Sequence, residues 1–110
     1  MSKLIYKIYF YKTDFIDSFS NKIVLKIKSD IRLLKEYGLA LLPTSKVKKI
    51  TGFSNLYELR IKTNIQIRLF FAFVSPNIFL IVHGFIKKTQ KTPINEIRTA
   101  VNRLKEFDIR

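Results

Sequence analysis

Hydrophobic positions change their period along the chain, and the changes mark the elements. From Leu4 to Tyr11 they alternate: Leu4, Tyr6, Ile8 and Phe10 share one face, opposite Ile5, Lys7, Tyr9 and Tyr11, as in a strand. From Asp14 to Tyr37 the period becomes helical. Ile23, Ile27, Ile31 and Leu34 recur at spacings of four, four and three, while Lys22, Lys26, Lys28, Arg32 and Lys35 take the other positions. Gly38 stands where a C′ glycine ends a helix. Ser20 or Asn21 is placed to cap the start, which leaves residues 14–19 for a separate short turn.

Leu39 to Gly52 has no clear period. It holds Pro43, Thr44 and Ser45, then Lys46, Lys48 and Lys49. Three strands are expected next. Leu56 to Lys62 alternates strictly, and Ile65 to Val74 alternates before becoming apolar on both faces, as a doubly covered central strand does. Ser75-Pro76-Asn77 is a turn signal, and Ile78 to Ile86 is the last strand. Thr92-Pro93 then reads as a capping hydroxyl followed by proline at the first helical position, with Ile97, Ala100, Val101 and Leu104 as the buried stripe. The expected fold is α+β: an N-terminal strand, one or two helices, a three-stranded antiparallel meander and a C-terminal helix, in one domain over residues 1–110.

Composition narrows the chemistry. Of 110 residues, 47% are hydrophobic, enough for a core, so the charge does not imply disorder. The absence of cysteine excludes disulfides, thiolate metal sites and a cysteine nucleophile, and the single histidine excludes a histidine-rich metal cluster. No metal or other cofactor is expected. The apolar run Leu69 to Val74 is far short of a membrane span, and Met1 to Phe10 lacks the form of an export signal, so a cytoplasmic protein is expected. With 21 Lys+Arg against 8 Asp+Glu, the formal charge is +13, which points to a polyanionic partner. A membrane surface fits poorly, because neither helix is a clean basic amphipath.

Codon drift toward A and T would also enrich lysine, but it would scatter it. Between Lys46 and Lys91 the basic residues are Lys46, Lys48, Lys49, Arg60, Lys62, Arg68, Lys87, Lys88 and Lys91, and the only acid is Glu58. If Thr63-Asn64-Ile65 forms the turn, Lys62 pairs with Gln66, Arg60 faces Arg68 and Glu58 faces Phe70. A two-residue turn would instead put the two arginines on opposite faces. Arginines directly opposite repel unless a counter-charge joins them, either a bound phosphate or, internally, Glu58. Lys87-Lys88-Thr89-Gln90-Lys91 precedes a helix N-terminus, a further place for phosphate oxygens. His83 is either a packed strand residue or, if it faces the basic cleft, a proton-exchanging group. Tyr57, Phe53 and Phe85 are able to stack on bases if they are not core.

Taken in order, these stretches resemble a known family. Leu33-Leu34-Lys35-Glu36-Tyr37-Gly38, Leu56-Tyr57-Glu58-Leu59-Arg60-Ile61 and Arg68-Leu69-Phe70-Phe71 follow its pattern. The most specific stretch is His83-Gly84-Phe85-Ile86-Lys87-Lys88-Thr89-Gln90-Lys91-Thr92-Pro93, followed by a helix with Glu96 and Arg103. Over roughly residues 4–107 the chain is similar to the RelE/HigB superfamily of type II toxins, in particular the phage-derived HigB-like branch. The resemblance implies the RelE-like toxin fold and a metal-independent endoribonuclease cleaving mRNA on the ribosome. In that chemistry the ribose 2′-hydroxyl attacks the adjacent phosphate. The implied partner is a cognate antitoxin, commonly a helix-turn-helix DNA-binding protein. It also implies that Arg68 contacts the scissile phosphate, with Arg60 on the preceding strand, Glu58 at a position where members carry a lysine or an acid, and Lys87 and Lys88 in the acid-supplying region. That region has no tyrosine here, so His83 or one of the two lysines would serve as acid. Lys46, Lys48, Lys49, Lys62 and Lys91 complete the expected RNA-binding set. The alternative is a catalytically silent basic module of the same fold that binds RNA or an antitoxin.

Overall fold

The computed structural model describes residues 6–107. Its elements are β1 (Lys7–Phe10), α1 (Asp14–Asp17), α2 (Asn21–Tyr37), a 3-10 turn (Gly38–Leu41), β2 (Val47–Lys49), β3 (Tyr57–Lys62), β4 (Gln66–Ser75), β5 (Ile78–Ile86) and α3 (Ile94–Glu106). The five strands form one mixed sheet in the order β1-β5-β4-β3-β2. This corrects the expected three-stranded meander with a C-terminal helix: β3, β4 and β5 are only the centre of a larger sheet. β1 joins β5 in parallel, and β2 joins β3 antiparallel from within the stretch that lacked a clear period. β2 escapes a pattern search because it has three residues, of which only Val47 is buried. Leu4 and Ile5 of the expected first strand lie outside the described residues.

Burial on both faces of the sheet explains the continuous apolar run in β4. On one face Ile27 and Leu34 of α2 and Ile16 of α1 pack on Leu59, Ile61, Leu69, Phe71, Phe79 and Ile81. On the other, Ala100 and Leu104 of α3 pack on Phe70, Ala72, Leu80, Val82 and Phe85. Residues alternate between these clusters along β4, as a pleated strand requires. α3 leaves the β3–β4 turn end of its face uncovered by an apolar stripe, and there Glu58, Arg60 and Arg68 lie.

The helical period over residues 14–37 resolves into α1 and α2, with Ser20 as the residue preceding α2. Gly38 closes α2 at φ 55° while its N–H donates to the Leu34 carbonyl. A Cβ at Gly38 would stand 2.5 Å from the Tyr6 ring, so both conformation and space call for glycine. Asp30, 1% exposed on α2, is held by Lys26 Nζ at 3.1 Å and Lys46 Nζ at 2.8 Å. That pair of contacts ties α2 to the start of β2. Among the described residues no helix is long and apolar enough to cross a membrane.

Leu34 is fully buried between α2 and the sheet. Leu34→Ala is therefore expected to lower unfolding free energy by about 2–5 kcal/mol, read from the shift in a urea unfolding midpoint at unchanged slope.

Candidate nucleic-acid interface

The turn between β3 and β4 decides the site. Thr63 Oγ1 accepts from the Ile65 N–H at 3.1 Å, and the Thr63 N–H donates to the Ile65 carbonyl at 3.0 Å, so three residues make the reversal. The register is then Lys62 with Gln66, Arg60 with Arg68 and Glu58 with Phe70. Of the two turns the sequence allows, this is the one that sets the arginines face to face.

Glu58 is the internal counter-charge. It is 1% exposed, and its Oε1 lies 3.3 Å from Arg60 Nε and 3.5 Å from Arg68 Nε. Its Oε2 accepts from Thr92 Oγ1 at 3.4 Å. Thr92 thus does not cap α3. The helix starts one residue later than expected, with Pro93 as its N-cap, and the hydroxyl turns to the carboxylate instead. The two contacts with Glu58 are at ion-pair distance but outside hydrogen-bond geometry, and the Nε–H groups of both arginines are buried with no acceptor. Arg68, 4% exposed, spends Nη1 on the Ile67 carbonyl at 3.1 Å and Nη2 on Gln66 Oε1 at 3.4 Å. Burial first, then the Arg60 charge, pulls its pKa below that of an ordinary arginine, against the opposing pull of Glu58. One carboxylate for two guanidinium groups leaves the trio one charge positive.

Two open depressions meet over this trio. Arg60, Gln66, Arg68, Lys87, Lys88, Thr89 and Gln90 line one. Lys48, Lys49, Ile50, Thr51, Glu58, Lys87, Gln90, Lys91, Thr92 and Ile97 line the other. Lys87 and Gln90 belong to both, so the depressions form one groove across the end of the sheet. Lys87 is half-buried there. Burial pushes its pKa below 10.5, and Arg68, Arg60 and Lys48 push the same way while Glu58 opposes them.

Of the residues singled out from sequence, the groove brings together Glu58, Arg60, Arg68, Lys48, Lys49, Lys87, Lys88 and Lys91. Lys62 is exposed at the end of the same strand face. Lys46 departs, since its ammonium is bound to Asp30 on the α2 side. His83 also stands apart from the groove lining. Its Nε2 is 2.8 Å from Glu96 Oε1, and its Nδ1 accepts from Arg103 Nη1 at 3.3 Å. With Arg103 donating to Nδ1, Nε2 carries the proton and donates to Glu96, so both ring nitrogens are occupied. A register shift after Phe70 opposite β5 accompanies this placement. Tyr57 stacks on Phe71 in the α2-side core and Phe85 packs on Phe70 beneath α3, so neither meets the groove, while Phe53 is 38% exposed outside its lining. Gln66 is a groove residue that the charge pattern missed, and Gln90 and Thr92 were read only as parts of the loop and of the helix start. Their signal was only their position beside the basic residues. Among the described residues no group of His, Cys, Asp and Glu is placed to hold a metal ion.

Removing the counter-charge tests this account of the trio. Glu58→Gln is expected to cost about 3 kcal/mol, the low end for a broken buried pair because Arg60 remains 28% exposed. Added phosphate should restore part of the loss, as read from thermal unfolding with and without the anion. An unchanged melting temperature would contradict the trio's energetic role.

No curated protein matches the chain. Residues 14–105, from α1 through nearly all of α3, match the family described as Phage derived protein Gp49-like (DUF891). That span contains the β3–β4 arginine pair, Glu58 and the whole Lys87–Lys91 loop. The chain therefore belongs to the phage-derived Gp49-like family, within the toxin-like group related to RelE and HigB.

Proposed function

We propose that the chain is a HigB-like toxin of a type II toxin–antitoxin pair, acting as an endoribonuclease on mRNA at the ribosome. The observation that carries this reading is the arginine pair held by one buried carboxylate at the floor of a lysine-lined groove. A phosphodiester is the anion that such a trio lacks, and the guanidinium fork suits its non-bridging oxygens. In the proposed reaction the 2′-hydroxyl oxygen attacks phosphorus and the bond to the 5′ oxygen breaks. The products are a 2′,3′-cyclic phosphate and a 5′-hydroxyl end.

Arg68 and Arg60 stabilise the charge that builds on the phosphoryl oxygens. Lys87 is the proton-transfer group, because it sits over the arginines and burial favours its neutral form. Glu58 is a positioning residue, since its oxygens are enclosed by Arg60, Arg68 and Thr92 rather than presented to a substrate. The remaining groove lysines bind the RNA backbone. The proposed partner is a cognate antitoxin, a helix-turn-helix DNA-binding protein, that silences the toxin.

A second reading, a catalytically silent RNA- or antitoxin-binding module, is favoured by one observation. His83 and Glu58, two side chains chemically able to move a proton, are both committed to internal contacts. Induction of the chain separates the two. The enzyme arrests growth and yields new 5′-hydroxyl mRNA ends, and Arg68→Ala lowers cleavage about 10²–10³-fold. Normal growth at confirmed expression of folded protein would leave only the silent module.

The pH profile tests Lys87. Its folded pKa lies below 10.5, so the ammonium is disfavoured in the native state and is lost at lower pH than from an ordinary lysine. If Lys87 is the acid, the midpoint of the alkaline fall in cleavage rate should therefore lie at lower pH than an ordinary lysine would give, and the limb should vanish in Lys87→Arg. A limb that Lys87→Arg leaves in place would assign the proton to another group. RNA binding should also weaken steeply between low and moderate salt, with Lys88→Ala reducing the log–log slope by about 1.

A further inference from the structure

Lys87 differs from its neighbours in a way that RNA binding does not require. Its backbone N–H donates to the Gln66 carbonyl at 2.7 Å, so β4 fixes the point where the chain leaves β5. The side chain is half-buried over the arginine pair, whereas Lys88 and Lys91 are exposed. Among the described residues its ammonium has no hydrogen bond or ion pair, unlike Lys26 and Lys46, which are tied to Asp30. Burial and the charges of Arg68, Arg60 and Lys48 favour its neutral, nucleophilic amine, with Glu58 the only opposing charge.

We propose that Lys87 is a modification site for acyl phosphates: the arginine pair holds the phosphoryl group while the Lys87 amine accepts the acyl group. The ammonium first gives a proton to solvent. The Nζ lone pair then adds to the carbonyl carbon, forming the N–C bond. The bond from that carbon to the phosphoryl oxygen breaks, and its electron pair leaves with inorganic phosphate, which takes the second Nζ proton. No redox partner is involved. The product is a neutral amide at the centre of the groove, with one positive charge removed where the RNA backbone is proposed to lie. Acylation would therefore weaken RNA binding at the same site. The inference rests on the phosphate-binding groove of the reading above but not on RNA cleavage.

The test incubates the intact chain with acetyl phosphate and follows acetylation of each lysine by mass spectrometry. N-hydroxysuccinimidyl acetate serves as an acyl donor without phosphate. Lys87 should be acetylated several-fold faster than Lys88 or Lys91 by acetyl phosphate. Inorganic phosphate should suppress that preference, and Arg60→Gln, checked for folding by circular dichroism, should weaken it. Equal rates at the three lysines, or a preference that the phosphate-free reagent shows equally, would overturn the proposal. Selective, phosphate-sensitive labelling in a chain that cleaves no RNA would uphold the site while removing the ribonuclease reading.

Discussion

Two arginines directly opposite each other on neighbouring strands repel, and a buried carboxylate makes the arrangement tenable. Glu58 lies within 3.3 Å of Arg60 Nε and 3.5 Å of Arg68 Nε, and both Nε–H groups remain without an acceptor. The charges are held together without being fully satisfied, and one positive charge is left over. A site with that balance is stable enough to persist, and the proposed function gives it an anion as its further partner. The Thr92 hydroxyl brings the start of α3 to the same carboxylate, so the trio also locates the loop that carries Lys87, Lys88 and Lys91.

The rest of the fold leaves this end of the sheet open. α2 seals one face with Ile27 and Leu34, and α3 seals the other only as far as Phe70 and Phe85. The apolar cover ends where Arg68 begins. β2 adds Lys48 opposite Glu58, turning a flat sheet edge into one wall of the groove. The Asp30 clamp on Lys26 and Lys46 anchors β2 from the other side of the molecule. Among the described residues the cations thus include some that hold the fold, some on exposed helix positions and a group gathered around one carboxylate.

How much of this is legible in the sequence depends on the length of the signal. Alternation placed β3 and the first half of β4, and an apolar run with the Ser75-Pro76-Asn77 turn signal placed the rest of β4 and β5, all to within a residue or so. The Thr63-Asn64-Ile65 turn gave one of two registers, the one that pairs Arg60 with Arg68. β2 offered three residues and no alternation to detect. The parallel pairing of β1 with β5 joins residues some seventy positions apart, which no local pattern encodes. The setting of His83 was left open by the sequence, because its partners Glu96 and Arg103 come from α3. Lys46 looked like its neighbours Lys48 and Lys49 until Asp30, sixteen residues earlier, claimed its ammonium. Charge location could be read along the chain. Which charges were already spent required the fold.

The central claim is that the Arg60–Glu58–Arg68 trio is the phosphate-binding floor of the groove. It is tested most directly by following the arginine Nε–H resonances of the ¹⁵N-labelled chain during titration with an RNA oligonucleotide whose 2′-hydroxyls are replaced by hydrogen, which binds without being cleaved. The Arg60 and Arg68 signals are expected to shift together, saturate, and return when salt is raised. Shifts confined to Arg32 on α2, with both the Arg60 and Arg68 signals unmoved, would contradict that claim.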